Sequence, residues 1–104
     1  MEATWTVTDA HLQPYGITHG GAHCAVVETL CSVAASLWLG SDGQVVGTTN
    51  TTDFYRATRP GDQLTSVASP LHRGRSRQVW RVETRDAKDR LVATGQVAIQ
   101  NLRS

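Results

Sequence analysis

The order of elements along this 104-residue chain predicts an α+β fold, one long helix wrapped by a curved antiparallel sheet of about five strands. Three observations carry that expectation. Residues 21–38 place apolar side chains at helical spacing, and after Gly40 the apolar period changes to two. One β-prone segment precedes the helix and four follow it. Short turns join the last four, which favours antiparallel neighbours.

Residues 2–9 alternate and hold tryptophan, valine and threonine, the composition of a strand. Gln13-Pro14-Tyr15-Gly16 is turn chemistry. The pair Gly20-Gly21 lets a helix begin close to another backbone. Within that helix Ala22, Val26, Thr29, Leu30, Val33 and Leu37 form a stripe expected to face the sheet, and Gly40 supplies the stop. Ser41-Asp42-Gly43 turns the chain into a threonine-rich strand over 45–57, a residue type whose branched carbon suits a pleated surface. Pro60-Gly61-Asp62 is a turn, 64–71 a strand, and Arg73-Gly74-Arg75-Ser76 a hairpin corner. Residues 78–85 and 91–99 are the last two strands, joined through Ala87-Lys88-Asp89.

With its stripe against the sheet, the helix would turn Cys24, Glu28, Cys31, Ser32 and Ala35 the other way. A surface helix normally shows charge to water, whereas Glu28 is the sole charged side chain from Gly20 to Gly40. That face is therefore expected to be covered by a second copy of the chain, with Glu28 near the contact.

The length fits a single domain, 1–104, with a thin core that oligomerisation would help. No apolar run reads as long enough to span a membrane and the start lacks the order of a signal peptide, so the chain is expected to be cytoplasmic. Cys24 and Cys31, seven apart on one helix, do not readily bridge and read as buried thiols of a reducing compartment. No Cys-x-x-Cys is present, and His19 and His23 have no third ligand at usual spacing, so no metal site is expected. The net charge of +1 conceals an asymmetry. Residues 1–55 hold five acids and no Lys or Arg, while all ten basic residues, nine of them arginine, lie between Arg56 and Arg103. Two readings stay open, a solvated strand face or a phosphate site. Nucleic acid is disfavoured, because the arginines lack interleaved aromatics beyond Trp80.

Several pieces at fixed spacing then stand out: Gln13-Pro14-Tyr15-Gly16, His19-Gly20-Gly21 followed by Glu28, Val46-Gly47, Asp53-Phe54-Tyr55-Arg56, Gly61, and Pro70-Leu71-His72-Arg73-Gly74-Arg75. Together, from about Gln13 to Leu102, they resemble the hot-dog-fold acyl-CoA thioesterases of the PaaI type. Many of those proteins carry an extra helix and strand before the first segment here. The resemblance implies an acyl-CoA substrate, a homodimer assembled as a homotetramer, and no cofactor, CoA being part of the substrate. It also implies a catalytic carboxylate at Glu28, an amide at or next to Gly20 as oxyanion donor, a glutamine at Gln13 that orients the thioester, and a histidine at His19 lining the same corner.

The chemistry of these residue types agrees. A carboxylate can attack a thioester carbonyl or activate water, and it can equally serve only as a bond across a dimer. Helix-start amides at Gly20 and Gly21 lack internal partners and can bear an oxygen's growing negative charge, or the glycines can simply permit a tight turn. Ser32, one turn after Glu28, could hold the carboxylate or the water. No Gly-x-Ser-x-Gly elbow exists for a serine triad. At position 54 the branch acting on hydroxylated aromatic acyl groups is expected to carry histidine. Phe54 stands there instead, followed by Tyr55, which suggests an apolar acyl pocket or a core residue. Arg73 and Arg75 fall where the resemblance places the CoA phosphates. The sequence leaves two rival readings, a non-catalytic acyl-CoA binder and a hot-dog hydratase.

Overall fold

A computed structural model describes residues 1–8, 11 and 16–103. The elements are β1 (Glu2–Thr6), α1 (Gly20–Leu39), a 3₁₀ turn (Gly40–Asp42), β2 (Gly43–Phe54), β3 (Gln63–Arg73), β4 (Arg77–Arg85) and β5 (Leu91–Arg103). All strand pairings are antiparallel, in the order β1-β3-β4-β5-β2. This is the expected hot-dog arrangement, with α1 lying across a curled five-stranded sheet. Gly40 closes α1 in the left-handed region at φ 67°, donating its amide to the Ser36 carbonyl, a stop that a side chain would strain.

The helix is rotated from the expected phase. Its buried residues are His23, Val27, Leu30, Cys31, Ala34, Ala35 and Leu39. Of the expected stripe only Leu30 is buried; Val33 and Leu37 are 45% and 69% exposed. The cause is close packing rather than mean apolarity. A Cβ on Gly95 of β5 would stand 2.5 Å from Val27 Cγ1, so Val27 seats directly on bare backbone and fixes the rotation. Small residues (Cys31, Ala34, Ala35) then let the helix lie close over Ala68, Trp80, Val82, Val97 and Ile99. Cys31 and Ala35, expected on the face turned away from the sheet, are instead buried against it, and Cys24, expected to be buried, is only half-buried. The displaced stripe has a use. Val26, Thr29 and Val33, with Met1, Ala3 and Trp5, line an open apolar groove of about 460 Å³ between β1 and the helix.

Residues 20–42 are in fact long and apolar enough to cross a membrane by length and composition, with a mean hydropathy of 1.5, contrary to the sequence expectation. In the structure the sheet takes up the buried face of that helix. The other departures lie at strand ends. β2 stops at Phe54 rather than 57, and β5 continues to Arg103 because Gly43–Val46 pair with its last four residues. A buried polar network closes this end of the core. Trp80 Nε1 donates to Gln78 Oε1 (2.8 Å), and Gln78 Nε2 donates to Asn101 Oδ1 (2.8 Å). Asn101 Nδ2 in turn donates to the carbonyls of Gly74 and Arg75, tying the β3–β4 corner to β5.

Candidate active site

The start of α1 is built by local hydrogen bonds. His19 is extended (φ −65°, ψ 136°), and its Nδ1 accepts the Gly21 amide at 2.9 Å, capping the helix in the way a Ser or Asp would. Its carbonyl accepts the Ala22 amide, and Thr18 is held to Thr58 through backbone and side chain. The two glycine amides are thereby distinguished. That of Gly21 is committed to His19, while that of Gly20 has no acceptor among the described residues. Gln13 lies outside the described residues.

Phe54 sits over this corner. A Cβ on Gly20 would lie 2.7 Å from its ring, so the bare glycine is what admits the phenyl group. Phe54 is 55% exposed and is not a core residue. With Gly20, Ile17, Thr18, His23 and the 55–57 segment it lines a recess of about 310 Å³. Tyr55 is fixed beside it by a 2.7 Å hydrogen bond between its hydroxyl and Thr94 Oγ1. His23, one turn into the helix, is 3% exposed and stacks near-parallel to Phe54 at 6.2 Å, with Trp5 meeting it edge-on at 5.7 Å. Burial pushes its pKa below the ordinary value, so the ring is neutral at pH 7.

Glu28 is half-buried and stands eight residues further on, about 12 Å along the helix axis from Gly20 of its own chain. Its carboxylate lies on the backbone of β2: a Cβ on Gly47 would be 2.9 Å from Oε1 and 3.2 Å from Oε2. Just beyond, β2 bulges between Gly47 and Thr49, and Thr48 Oγ1 donates to the Ala98 carbonyl at 3.0 Å. Oε2 is sealed from solvent with no hydrogen-bond partner. Ser32, half-buried one turn on, makes no hydrogen bond to it. The negative charge is felt nearby. Burial first, and the Glu28 carboxylate second, push the Cys31 thiol up to about 12, so this cysteine is inert.

Asn50, two positions past the bulge, donates from Nδ2 to the Cys24 carbonyl (3.1 Å) and accepts from Thr52 Oγ1 (2.7 Å), stitching β2 to the helix between the two ends of the site. The sequence reading missed this link, because a single exposed asparagine in a threonine-rich strand gives no signal. His23 could have been found: it stands four residues from His19 and three from Gly20, hence on the same helical face.

The two arginines differ. Arg73 ends β3 and places its guanidinium 5.6 Å from the ring of Trp38 and 5.9 Å from that of Trp80, a double cation–π contact. Arg75 lies in the corner with its side chain exposed, while its carbonyl accepts from Asn101 and Arg103. Both are near the far end of the helix, Trp38 being about 15 Å along the axis from Glu28. Among the described residues no three His, Cys, Asp or Glu side chains converge on a metal position.

The comparisons with known proteins agree with one another. The family model described as the thioesterase superfamily matches residues 15–93. A Mycobacterium tuberculosis protein provisionally named an esterase is 49% identical over 94 residues, covering 88% of this chain and 66% of its own length. The 1,4-dihydroxy-2-naphthoyl-CoA hydrolase of Escherichia coli K12 is 36% identical over 97 residues, covering 93% of this chain and 71% of its own length. The crystal structure of AziG from S. sahachiroi is similar at a TM-score of 0.97 with 56% identity, covering 99% of this chain and 83% of that one. The chain spans about two thirds of the length of these curated relatives.

Proposed function

The chain belongs to the thioesterase superfamily, and from that premise we propose that it hydrolyses acyl-CoA thioesters as a homodimer in which each site draws on two copies. One observation carries the dimer. Gly20, whose amide is uncommitted, and Glu28 are about 12 Å apart along one rigid helix at the backbone, and the Glu28 carboxylate is laid on Gly47 of β2, so the two are not arranged to share one carbonyl within a chain. A second copy running antiparallel brings its Glu28 opposite the first copy's Gly20. β2 supports such a pairing: it is a twelve-residue edge strand with one neighbour, β5, and a mostly exposed surface. Edges of that length are normally covered or paired. The exposed Val33 and Leu37 give apolar surface for two dimers to meet as a homotetramer.

In this arrangement the thioester oxygen rests against the Gly20 amide at the positive end of the helix. Glu28 of the other copy attacks the carbonyl carbon or takes a proton from the water that does. In both routes the tetrahedral oxyanion collapses and the C–S bond breaks, releasing CoA thiolate; direct attack leaves an acyl–Glu28 anhydride that water then hydrolyses, whereas the water route yields the free acid at once. Oε2 has no hydrogen-bond partner among the described residues, which leaves it open to a water or a carbonyl carbon. Gln13 orients the thioester, His19 holds the helix start in shape through Gly21, and Ser32 is available to the attacking water. Arg75, with Arg73 behind it, meets the CoA phosphates.

The test is thiol release from a panel of aryl-, phenylacetyl- and fatty acyl-CoA esters. Wild-type protein releases CoA from at least one, and Glu28→Ala abolishes release while retaining binding. Binding without release by the wild type across the panel makes the protein a non-catalytic acyl-CoA binder, and full activity of Glu28→Ala removes the mechanism.

A further inference from the structure

His23 is used by none of the steps above, yet it is placed as a ligand-reading residue. It lines the recess beside Gly20 and Phe54 and is 3% exposed. Among the described residues no hydrogen bond reaches its ring, and Nδ1 is sealed without a partner. A neutral imidazole has one N–H and one bare nitrogen. An orphaned buried N–H is rarer than an orphaned acceptor, which puts the proton on Nε2. Nε2 is not among the sealed unpartnered atoms, and it is the polar atom the ring has left to offer. Three of the residues lining the recess, Phe54, His23 and Tyr55, carry flat side chains, and Arg56 beside them carries a charge.

We infer that His23 is a specificity-determining residue of the acyl recess, donating Nε2–H to an oxygen acceptor on a flat acyl group. The inference rests on the thioesterase reading for its substrate and names the acyl class: planar, mostly apolar, and carrying a hydroxyl or methoxy oxygen away from the thioester. An acceptor is enough, so a methoxy group serves as well as a hydroxyl. A hydrocarbon acyl group of the same shape strands the buried N–H and binds more weakly. Trp5 and Phe54 hold the ring plane, so the donor has a fixed direction.

The experiment compares benzoyl-CoA with the 2-, 3- and 4-hydroxy- and methoxybenzoyl-CoA esters, reading kcat/KM by thiol release and Kd by calorimetry on Glu28→Ala protein. At least one hydroxy isomer and its methoxy counterpart are preferred over benzoyl-CoA by about tenfold or more. His23→Phe, which keeps a ring and removes the donor, brings that ratio near one, because turnover of the hydroxy and methoxy esters falls further than that of benzoyl-CoA. His23→Gln, which keeps an N–H, retains part of the preference and covers the case in which the phenylalanine variant does not fold. Equal loss on all esters, or an unchanged ratio in His23→Phe, overturns the inference. If no ester is hydrolysed, the thioesterase reading fails, and the Kd ratios still decide the role of His23.

Discussion

Gly47→Ala tests how finely the carboxylate is placed. The added Cβ would stand 2.9 Å from Glu28 Oε1 and 3.3 Å from Cδ, whereas ordinary contact begins near 3.4 Å. Glu28 has to retreat by about 0.5 Å, because the strand below it is pinned by β5 and by Thr48 on Ala98. Displacements approaching 1 Å at a reacting group cost about 10²-fold in rate, so a fall of about 10- to 100-fold in kcat is expected, equal to about 1.4–2.7 kcal/mol of activation free energy. The added methyl shifts the reacting carboxylate and leaves the groups proposed to bind substrate, the recess and the arginine corner, unaltered, so KM changes by less than about threefold. The assay is steady-state thiol release on the best ester, with circular dichroism and light scattering to show that fold and assembly persist. An unchanged kcat in a folded, assembled variant refutes the claim that the Glu28–Gly47 contact sets the geometry.

Two further predictions follow from the same features. Gly20→Pro removes the amide at a helix position that tolerates proline, and the exposed Phe54 ring can swing aside to admit it. Refolded together in equal amounts, the separately inactive Gly20→Pro and Glu28→Ala proteins should recover about a quarter of wild-type activity, since half the dimers are mixed and each has one intact site; no recovery places both groups in one chain's site. The second concerns pH. Burial lowers the pKa of His23 from 6.5 in the folded state, so between the two values the unfolded chain binds more protons. Its contribution to stability is present above about pH 6.5 and lost as pH falls through the folded value. Thermal melts from about pH 7.5 to 5 should drop further for the wild type than for His23→Phe, and parallel curves would show that the ring does not stay neutral when buried.

The turns, the change of period after Gly40 and the short links made the fold legible, because each is a local property of the chain. The helix phase was not local. Counting apolar residues favoured Val33 and Leu37, but the sheet accepted Val27 at Gly95, and nothing in the helix reveals a missing side chain sixty-eight residues away. Glu28 stood out as a charge without company, a signal that survives any rotation. The resemblance singled out Gly20, but that His19 folds back onto the Gly21 amide was not legible in sequence. His23 was legible only by its spacing from His19 and Gly20; that its Nδ1 is buried without a partner is a fact of the packing.

The seat of Val27 on Gly95 also limits how this molecule can change over evolution. Inserting one residue between Gly20 and Val27 would leave the acid in place and swing the helix start round by about 100°, away from Phe54. Only insertions or deletions near whole turns keep both ends aimed, and those alter the gap between them by about 5.4 Å. Diversification in such a scaffold is channelled into side-chain exchange around the recess, with the helix itself acting as a ruler of set length.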